Sequence, residues 1–109
     1  MSDEIRVQPS SGNLFKDLNL PNPEERLIKA ELARRISGII NQKGLTQIEA
    51  ADILDIDQPK VSALTRGKLS GFSTTRLFRF LNALGNDVEI FVKPKPKNRT
   101  AAKITVIES

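Results

Sequence analysis

The stretch from Thr46 to Lys68, TQIEAADILDIDQPKVSALTRGK, constrains the fold of this chain more than any other part of the sequence. Its pattern predicts two short helices joined by a tight turn. Ala51 is small at the point where the first helix must lie close to the second, and Ile56 fills the turn. Val61 and Leu64 stand three residues apart, so they share the inner face of the second helix. These are the internal contacts of a helix-turn-helix, whose packing lets the second helix protrude.

Polar residues at the ends of the two short helices support the same interpretation. Thr46 and Glu49 have the spacing of a capping box, which satisfies free N–H groups at a helix start. Asp55 occupies the turn, where left-handed backbone geometry is expected and where aspartate is tolerated as a second choice to glycine. Asp57 is placed to cap the second helix, with Pro59 in its first turn. The sequence therefore predicts a defined start for each helix.

Two further helices are predicted on either side of this motif. The first has Asn22 as its cap and Pro23 at its first helical position, and it ends at Gly44. The last begins at Ser73 and ends at Gly85. Apolar residues at helical spacing are expected to face the core: Leu27, Ala30, Ile36, Ile39 and Ile40 in the first helix, and Leu77, Phe78, Leu81 and Leu84 in the last.

The apolar period changes to two after the last helix, which predicts a short strand. Val88, Ile90 and Val92 alternate along the chain, and Phe91 lies on the opposite face. A lone strand has an unpaired edge that needs a partner, either a second copy of the chain or a terminal extended segment. We therefore expect Val88, Ile90, Phe91 and Val92 to form a dimer contact; the alternative for Phe91 is incidental exposure.

Composition excludes several classes of function. The 109 residues suffice for about one domain, and the sequence contains no Cys and no His. A thiolate zinc site, a disulfide, a histidine-ligated metal and an imidazole base are therefore excluded, and we expect no cofactor and no enzyme activity. No apolar run approaches ~18 residues and the N-terminus is unlike a signal peptide, which predicts a cytoplasmic protein that does not contact a membrane. The net charge of +4 favours an anionic partner.

Three residues at the start of the second helix are candidates for contacts with DNA bases. Gln58 can form two hydrogen bonds to adenine, Ser62 can serve a base or a phosphate, and Pro59 can rest on a thymine methyl group. The alternative is that all three are ordinary solvated surface positions.

A second group of residues is placed to hold the DNA backbone. Thr46 and Gln47 open the preceding helix, whose N-terminus favours a phosphate. Lys60, Arg66 and Lys68 are candidates for further phosphate contacts, although Arg66 could instead brace the loop at Ser70 and Gly71. Residues 44–70 carry four acidic and three basic side chains, a net charge of −1. This local charge predicts modest non-specific affinity with a strong salt dependence.

A resemblance to a known family becomes clear from the segments NLFKDL, GLTQIEAADIL, DQPKVSALTRGK and LFRFLNALGNDVEIFVKP. Together they resemble the XRE/lambda-repressor-like helix-turn-helix family and, more narrowly, small HigA-type antitoxins and related transcriptional regulators. The resemblance runs from about Asn13 to Pro94. Asp55 and Asn19 depart from the pattern, because glycine is usual at both positions.

The resemblance implies a mainly α fold, a five-helix lambda-repressor-like bundle to which we add the short C-terminal strand. We divide the chain into an N-terminal extension (1–22), a helix-turn-helix DNA-binding domain with its strand (23–93) and a basic, flexible tail (94–109). Leu14, Phe15 and Leu18 of the extension are expected to form a helical turn on the core. The tail is interpreted as a DNA-tracking arm, a strap for a toxin or a solubilising end.

The function implied by the resemblance is that of a repressor which binds a double-stranded DNA operator as a homodimer. In many relatives the same protein is the antitoxin of a type II pair; it represses its own operon and neutralises a RelE-like ribonuclease toxin. A stand-alone regulator without a toxin remains the alternative. A protein-interaction module that no longer binds DNA is a further alternative, which the local charge of −1 supports.

Overall fold

A computed structural model describes residues 23–107, which form four helices. They are α1 (Pro23–Gln42), α2 (Gln47–Leu54), α3 (Gln58–Thr65) and α4 (Thr74–Ala83). The mainly helical prediction is confirmed, whereas the expected five helices and C-terminal strand are not, because residues 23–107 contain four helices and no strand. The helical turn predicted at Leu14, Phe15 and Leu18 lies outside the described residues. So does the segment Ile5-Arg6-Val7, whose alternation of apolar and polar residues predicts extended backbone.

The ends of the helices follow the chemistry of their capping residues. Thr46 Oγ1 accepts from the Glu49 N–H at 3.1 Å, and the Glu49 carboxylate accepts from the Thr46 N–H at 2.8 Å, so the predicted capping box is confirmed. Asp57 caps α3 by accepting from the Lys60 N–H at 2.9 Å. Ser73 caps α4 through the Arg76 N–H at 3.1 Å. Each cap satisfies a donor that the helix itself leaves free, which is typically worth about 1 kcal/mol.

The core lies between the four helices, where α1 and α2 each pack against both α3 and α4. Ile36, Leu64, Leu77 and Val61 are its largest fully buried side chains. The whole buried set comes from all four helices and the loop before α4: Leu32, Ala33, Ile36, Ile40, Ala50, Ala51, Leu54, Val61, Leu64, Phe72, Leu77, Phe80, Leu81 and Leu84. Burial of this apolar surface, rather than helix propensity, holds helices as short as the eight residues of α2 and α3.

Two parts of the core differ from the sequence-based expectation. Leu27 is 70% exposed and Ala30 is exposed, whereas Ile28 and Leu32 face inward on α1. The predicted apolar face was therefore rotated by about one residue in the first turns of α1. Phe72 and Phe80 are both buried, with ring centroids 5.8 Å apart in an edge-to-face arrangement. Neither phenylalanine was predicted to belong to the core. Phe72 precedes α4, and Phe80 has the helical spacing from Leu77 and Leu84 that identifies it as a core residue.

The segment after α4 has no regular secondary structure and no strand partner within residues 23–107. Val88 packs against the core, while Ile90, Phe91 and Val92 are 71%, 80% and 93% exposed. A strand is defined by backbone hydrogen bonds to a neighbour, and no segment within residues 23–107 supplies them. The predicted alternation therefore holds only for its first position, and the apolar residues that follow remain open to solvent.

The last described residues return to the beginning of α1. The Ile104 N–H donates a hydrogen bond to the Glu24 carboxylate at 2.8 Å, across 80 positions of sequence. Two residues later, Val106 packs against the core and is partly buried. These contacts hold the C-terminal segment against the first turn of α1.

Candidate nucleic-acid interface

The packing of α2 against α3 determines which side chains of α3 point outward. Val61 and Leu64 are each 1% exposed, and Ala50 and Ala51 of α2 are buried. The turn between the helices is closed by the Ile56 N–H, which donates to the Ala51 carbonyl at 3.1 Å. The helix-turn-helix packing predicted from the sequence is therefore present, with the remaining faces of α3 turned away from the core.

The backbone of the turn depends on Asp55, which adopts φ 57° and ψ 46°. It is the only non-glycine residue with positive φ among residues 23–107. Aspartate and asparagine tolerate this left-handed geometry better than other non-glycine residues. The Asp55 N–H donates to the carbonyls of Ala51 and Asp52, which ends α2 and sets the direction in which α3 begins. The left-handed prediction for Asp55 is confirmed.

The predicted base-reading residues lie together at the start of α3. Gln58 and Pro59 are exposed, and Ser62, one turn further on, is partly buried. The Asp57 carboxylate already caps this helix end, so a phosphate there would meet a negative charge. A polar side chain such as that of Gln58 can still project past the cap toward a base edge. The geometry therefore suits base contacts at this end of α3 better than phosphate contacts.

The predicted phosphate-contacting residues at the start of α2 have a different environment. Thr46 and Gln47 are exposed. The capping box occupies the Thr46 N–H and uses its hydroxyl oxygen as an acceptor, but the hydroxyl hydrogen can still donate. The N–H of Gln47 opens the helix and has no intrahelical acceptor. Gln47 consequently offers both a backbone and a side-chain donor to a phosphate oxygen, with Thr46 beside it.

The three basic candidates are exposed around α3 and its end. Lys60 lies in the first turn of α3, and Arg66 and Lys68 follow its last turn. Gly67 ends the helix with φ 78°, and the Lys68 N–H donates to the Ala63 carbonyl at 2.8 Å. Among residues 23–107, no hydrogen bond or ion pair joins the Arg66 side chain to the loop at Ser70 and Gly71. The bracing alternative therefore receives no support, and the guanidinium remains available for an anion.

Acidic residues border this surface on one side. Asp52, Asp55 and Asp57 line a shallow concavity of about 480 Å³ together with Ile48, Ala51, Ile56 and Gln58. Together with Glu49, they give four acidic against three basic side chains, which is the net charge of −1 over residues 44–70. The carboxylates would repel a phosphate and the cations of Lys60 and Arg66 would attract one, whereas the uncharged Gln58 at the same concavity is not barred from a base contact.

Arg76 is a residue of this region that the sequence analysis did not identify. Its guanidinium carbon lies 5.5 Å from the centroid of the Phe72 ring and 5.6 Å from that of Phe80. These distances are within the range of cation–π attraction. The contacts fix the loop that follows α3 to the first turn of α4. The signal that could have revealed them was the spacing of four residues from Phe72, just before α4, to Arg76 and from Arg76 to Phe80.

The part of the chain that the structure describes contains neither a cluster of metal-binding side chains nor a membrane-spanning helix. Residues 23–107 contain no group of three or more His, Cys, Asp or Glu side chains arranged to hold a metal ion. None of the four helices combines the length and the apolar character that spanning a membrane requires.

Comparisons with known proteins identify the family. A family described as "Helix-turn-helix domain" matches residues 14–93. A solved structure of a protein assigned to the XRE family of transcriptional regulators is 48% identical in sequence, with a TM-score of 0.78. The match covers 82% of this chain and 100% of the other. No curated protein matches the chain significantly. With the α2–α3 geometry described above, these matches show that the chain belongs to the XRE-like helix-turn-helix family.

Proposed function

We propose that the chain is a DNA-binding transcriptional regulator that represses transcription from a palindromic operator. The observation that carries this proposal is the start of α3, where Gln58 and Pro59 are exposed while Val61 and Leu64 are fixed in the core. A helix held in this way can enter the major groove without rearranging the domain. Membership of the family and the regulator assigned to the XRE family support the same function.

The residues divide into two roles in this proposal. Gln58 and Ser62 read base edges, and Pro59 packs against a thymine methyl group. Thr46, Gln47, Lys60, Arg66 and Lys68 hold phosphates and thereby fix the register of α3 in the groove. The division follows from the backbone donors at each helix start. Pro59 of α3 has no N–H and the Lys60 N–H already donates to the Asp57 carboxylate, whereas the Gln47 N–H at the start of α2 is free.

The regulator acts as a homodimer in this proposal. Ile90, Phe91 and Val92 form an exposed apolar run at the end of the domain. Pairing this segment with its copy would supply the missing backbone hydrogen bonds and cover both faces of the strand. Two copies of α3 would then lie about 34 Å apart, one turn of DNA, and would read the two halves of a palindrome.

The narrower form of the proposal is an antitoxin that represses its own operon and neutralises a RelE-like ribonuclease. It is supported by the resemblance of residues 13–94 to small HigA-type antitoxins. A stand-alone regulator is the alternative. The antitoxin and the stand-alone regulator predict different results. Only an antitoxin co-purifies with a protein encoded by a neighbouring gene and inactivates that protein. Co-expression with the full-length chain and with a shortened chain starting at Pro21 also tests whether the acidic N-terminal segment is the toxin-binding element.

A second candidate function is a protein-interaction module that no longer binds DNA. The net charge of −1 over residues 44–70 favours it. Selection from a library of random-sequence duplexes, followed by footprinting, separates it from the regulator. A regulator enriches one palindromic sequence and protects two half-sites one turn apart, whereas an interaction module enriches none. Failure to enrich any sequence at low salt would overturn the proposed function.

A further inference from the structure

A concentration of positive charge lies outside the helix-turn-helix, between the exposed apolar run and the contact with Glu24. Residues 93–103, KPKPKNRTAAK, carry five cationic side chains and no acidic one. We call this segment the basic strap. Its four lysines are exposed, and it begins where the match to the helix-turn-helix family ends, at residue 93.

The basic strap is attached to the domain at both ends. Val88 packs against the core before it, and Ile104 and Val106 hold the chain to α1 after it. Pro94 and Pro96 restrict the backbone between these anchors and remove two N–H donors, which disfavours pairing of the strap as a strand. A segment with fixed ends and a stiff backbone loses less conformational entropy on binding than a free tail does.

The cationic side chains of the basic strap form no ion pair within residues 23–107. Within residues 23–107, the ion pairs join Arg34 and Arg35 to Glu31, with Arg35 Nη2 3.6 Å from its carboxylate oxygen. The strap lysines make no such pair. Arg99 is partly buried, and its Nη1 is shielded from water without a hydrogen-bond acceptor among the described residues. With four exposed lysines that make no ion pair within residues 23–107, the strap presents positive charge that a polyanion can neutralise.

Spacing favours a phosphate backbone as that polyanion. In an extended chain, Lys93, Lys95 and Lys97 are separated by about 6–7 Å per step. The anchor at Glu24 lies one helix length, about 27 Å along α1, from the end of α1 that leads into α2. The C-terminal anchor of the strap therefore lies away from the start of α2, so phosphates bound by the strap differ from those bound at Thr46 and Gln47.

We propose that the basic strap binds phosphates of the DNA that flanks the operator half-site, and so supplies the positive charge that residues 44–70 lack. This inference rests on the proposed function, since the strap acts on the same duplex as α3. It assigns the strap to DNA rather than to an acidic protein partner.

The test compares the full-length chain with a Lys95→Gln, Lys97→Gln variant on two duplexes carrying the sequence selected from the random library. One duplex ends at the half-sites, and the other has ten further base pairs on each side. A matched control, Arg26→Gln with Lys29→Gln on α1, makes the same change in net charge close to the Glu24 anchor. The affinity of each protein is measured as a function of salt concentration.

On the flanked duplex, the strap variant is expected to lower the slope of log affinity against log salt by about 1.8 units, because two phosphate contacts are lost. Its disadvantage is then about tenfold larger at 50 mM than at 200 mM salt. On the short duplex, the variant and the original chain should bind alike. The control pair should not reproduce the dependence on flanks.

Three outcomes would overturn the inference. The strap variant could match the original chain on the flanked duplex, or lose affinity equally on both duplexes, or lose binding to an acidic protein while keeping its full salt slope on DNA. Each of these leaves specific binding by the original chain intact, so the proposed function survives. If the original chain selects no sequence at all, both the proposed function and the role of the strap fail.

Discussion

The helix-turn-helix and the segment that follows α4 are built in contrasting ways. Between Thr46 and Lys68, each helix has a side-chain cap at its start, and the apolar side chains of the inner face are buried. Between residues 88 and 107, three consecutive large apolar residues are exposed, and five cations make no ion pair within residues 23–107. The first region is packed and capped within one copy of the chain. The second leaves apolar surface and positive charge without partners among residues 23–107, which is why the proposed partners meet there.

The largest effect on stability is expected from a substitution in the buried face of the helix-turn-helix. Leu64→Ala removes a side chain that is 1% exposed, and it should lower the free energy of unfolding by about 2–5 kcal/mol. Phe91→Ala removes a larger side chain that is 80% exposed, and it should change the stability of the monomer by less than about 0.5 kcal/mol. Urea unfolding at concentrations below dimerisation checks both. Equal losses would contradict the contrast between the two regions.

The next effect concerns assembly through the open region. Ile90→Asp places a charge in the exposed apolar run and should convert the proposed dimer to a monomer. Operator affinity should then fall by about 10²- to 10⁴-fold, since the two half-sites no longer bind together. Sedimentation and binding to the palindromic duplex measure the two changes. Glu89→Gln is the control on the neighbouring residue. A variant that still sediments as a dimer would place the interface elsewhere.

A smaller effect is expected from one side chain of the recognition helix. Gln58→Ala should weaken binding to the selected sequence by about 1–3 kcal/mol and relax the preference at one base position. Binding to random DNA should hardly change. Gln42→Ala, at the exposed end of α1, is the matched control and should behave as the original chain does. Equal losses on selected and random duplexes would show that Gln58 does not read a base.

The smallest effect on stability is expected at the turn between α2 and α3. Asp55→Gly removes a side chain from a left-handed position, so it should leave stability unchanged or raise it by up to about 1 kcal/mol. Asp52→Gly makes the same change in charge within helical α2, and it should lower stability by a few tenths of a kcal/mol. Thermal unfolding of both variants in one buffer gives the comparison. A loss for Asp55→Gly larger than that for Asp52→Gly would mean that the aspartate itself stabilises the turn.

The sequence was most informative where structure is determined locally. The capping box at Thr46, the left-handed Asp55 and the cap at Asp57 depend on residues three or four positions apart, and each prediction is confirmed. The exposure of Gln58 and Pro59 followed from the burial of Val61 and Leu64 on the opposite face. Their roles in binding remain predictions.

The sequence was least informative where distant segments meet. Leu27 has the spacing of a core residue but lies on a part of α1 that none of the other three described helices covers. The period of two at residues 88–92 is compatible with a strand, but a strand also needs a neighbour that periodicity cannot supply. The contact between Ile104 and Glu24 spans 80 positions and leaves no local pattern. In each case the outcome depends on tertiary neighbours rather than on spacing.

The hydrogen bond between Ile104 and Glu24 also bears on the order in which the chain folds. Closing so long a loop is entropically unfavourable until the helical bundle has brought its ends together. We therefore expect the C-terminal anchor to dock after the bundle has formed and to detach without unfolding it. Amide hydrogen exchange would then be fast at Ile104 and slow at Leu64, a local opening that the bundle survives. The C-terminal segment would thus detach from α1 and dock on it again while the helical bundle stays folded.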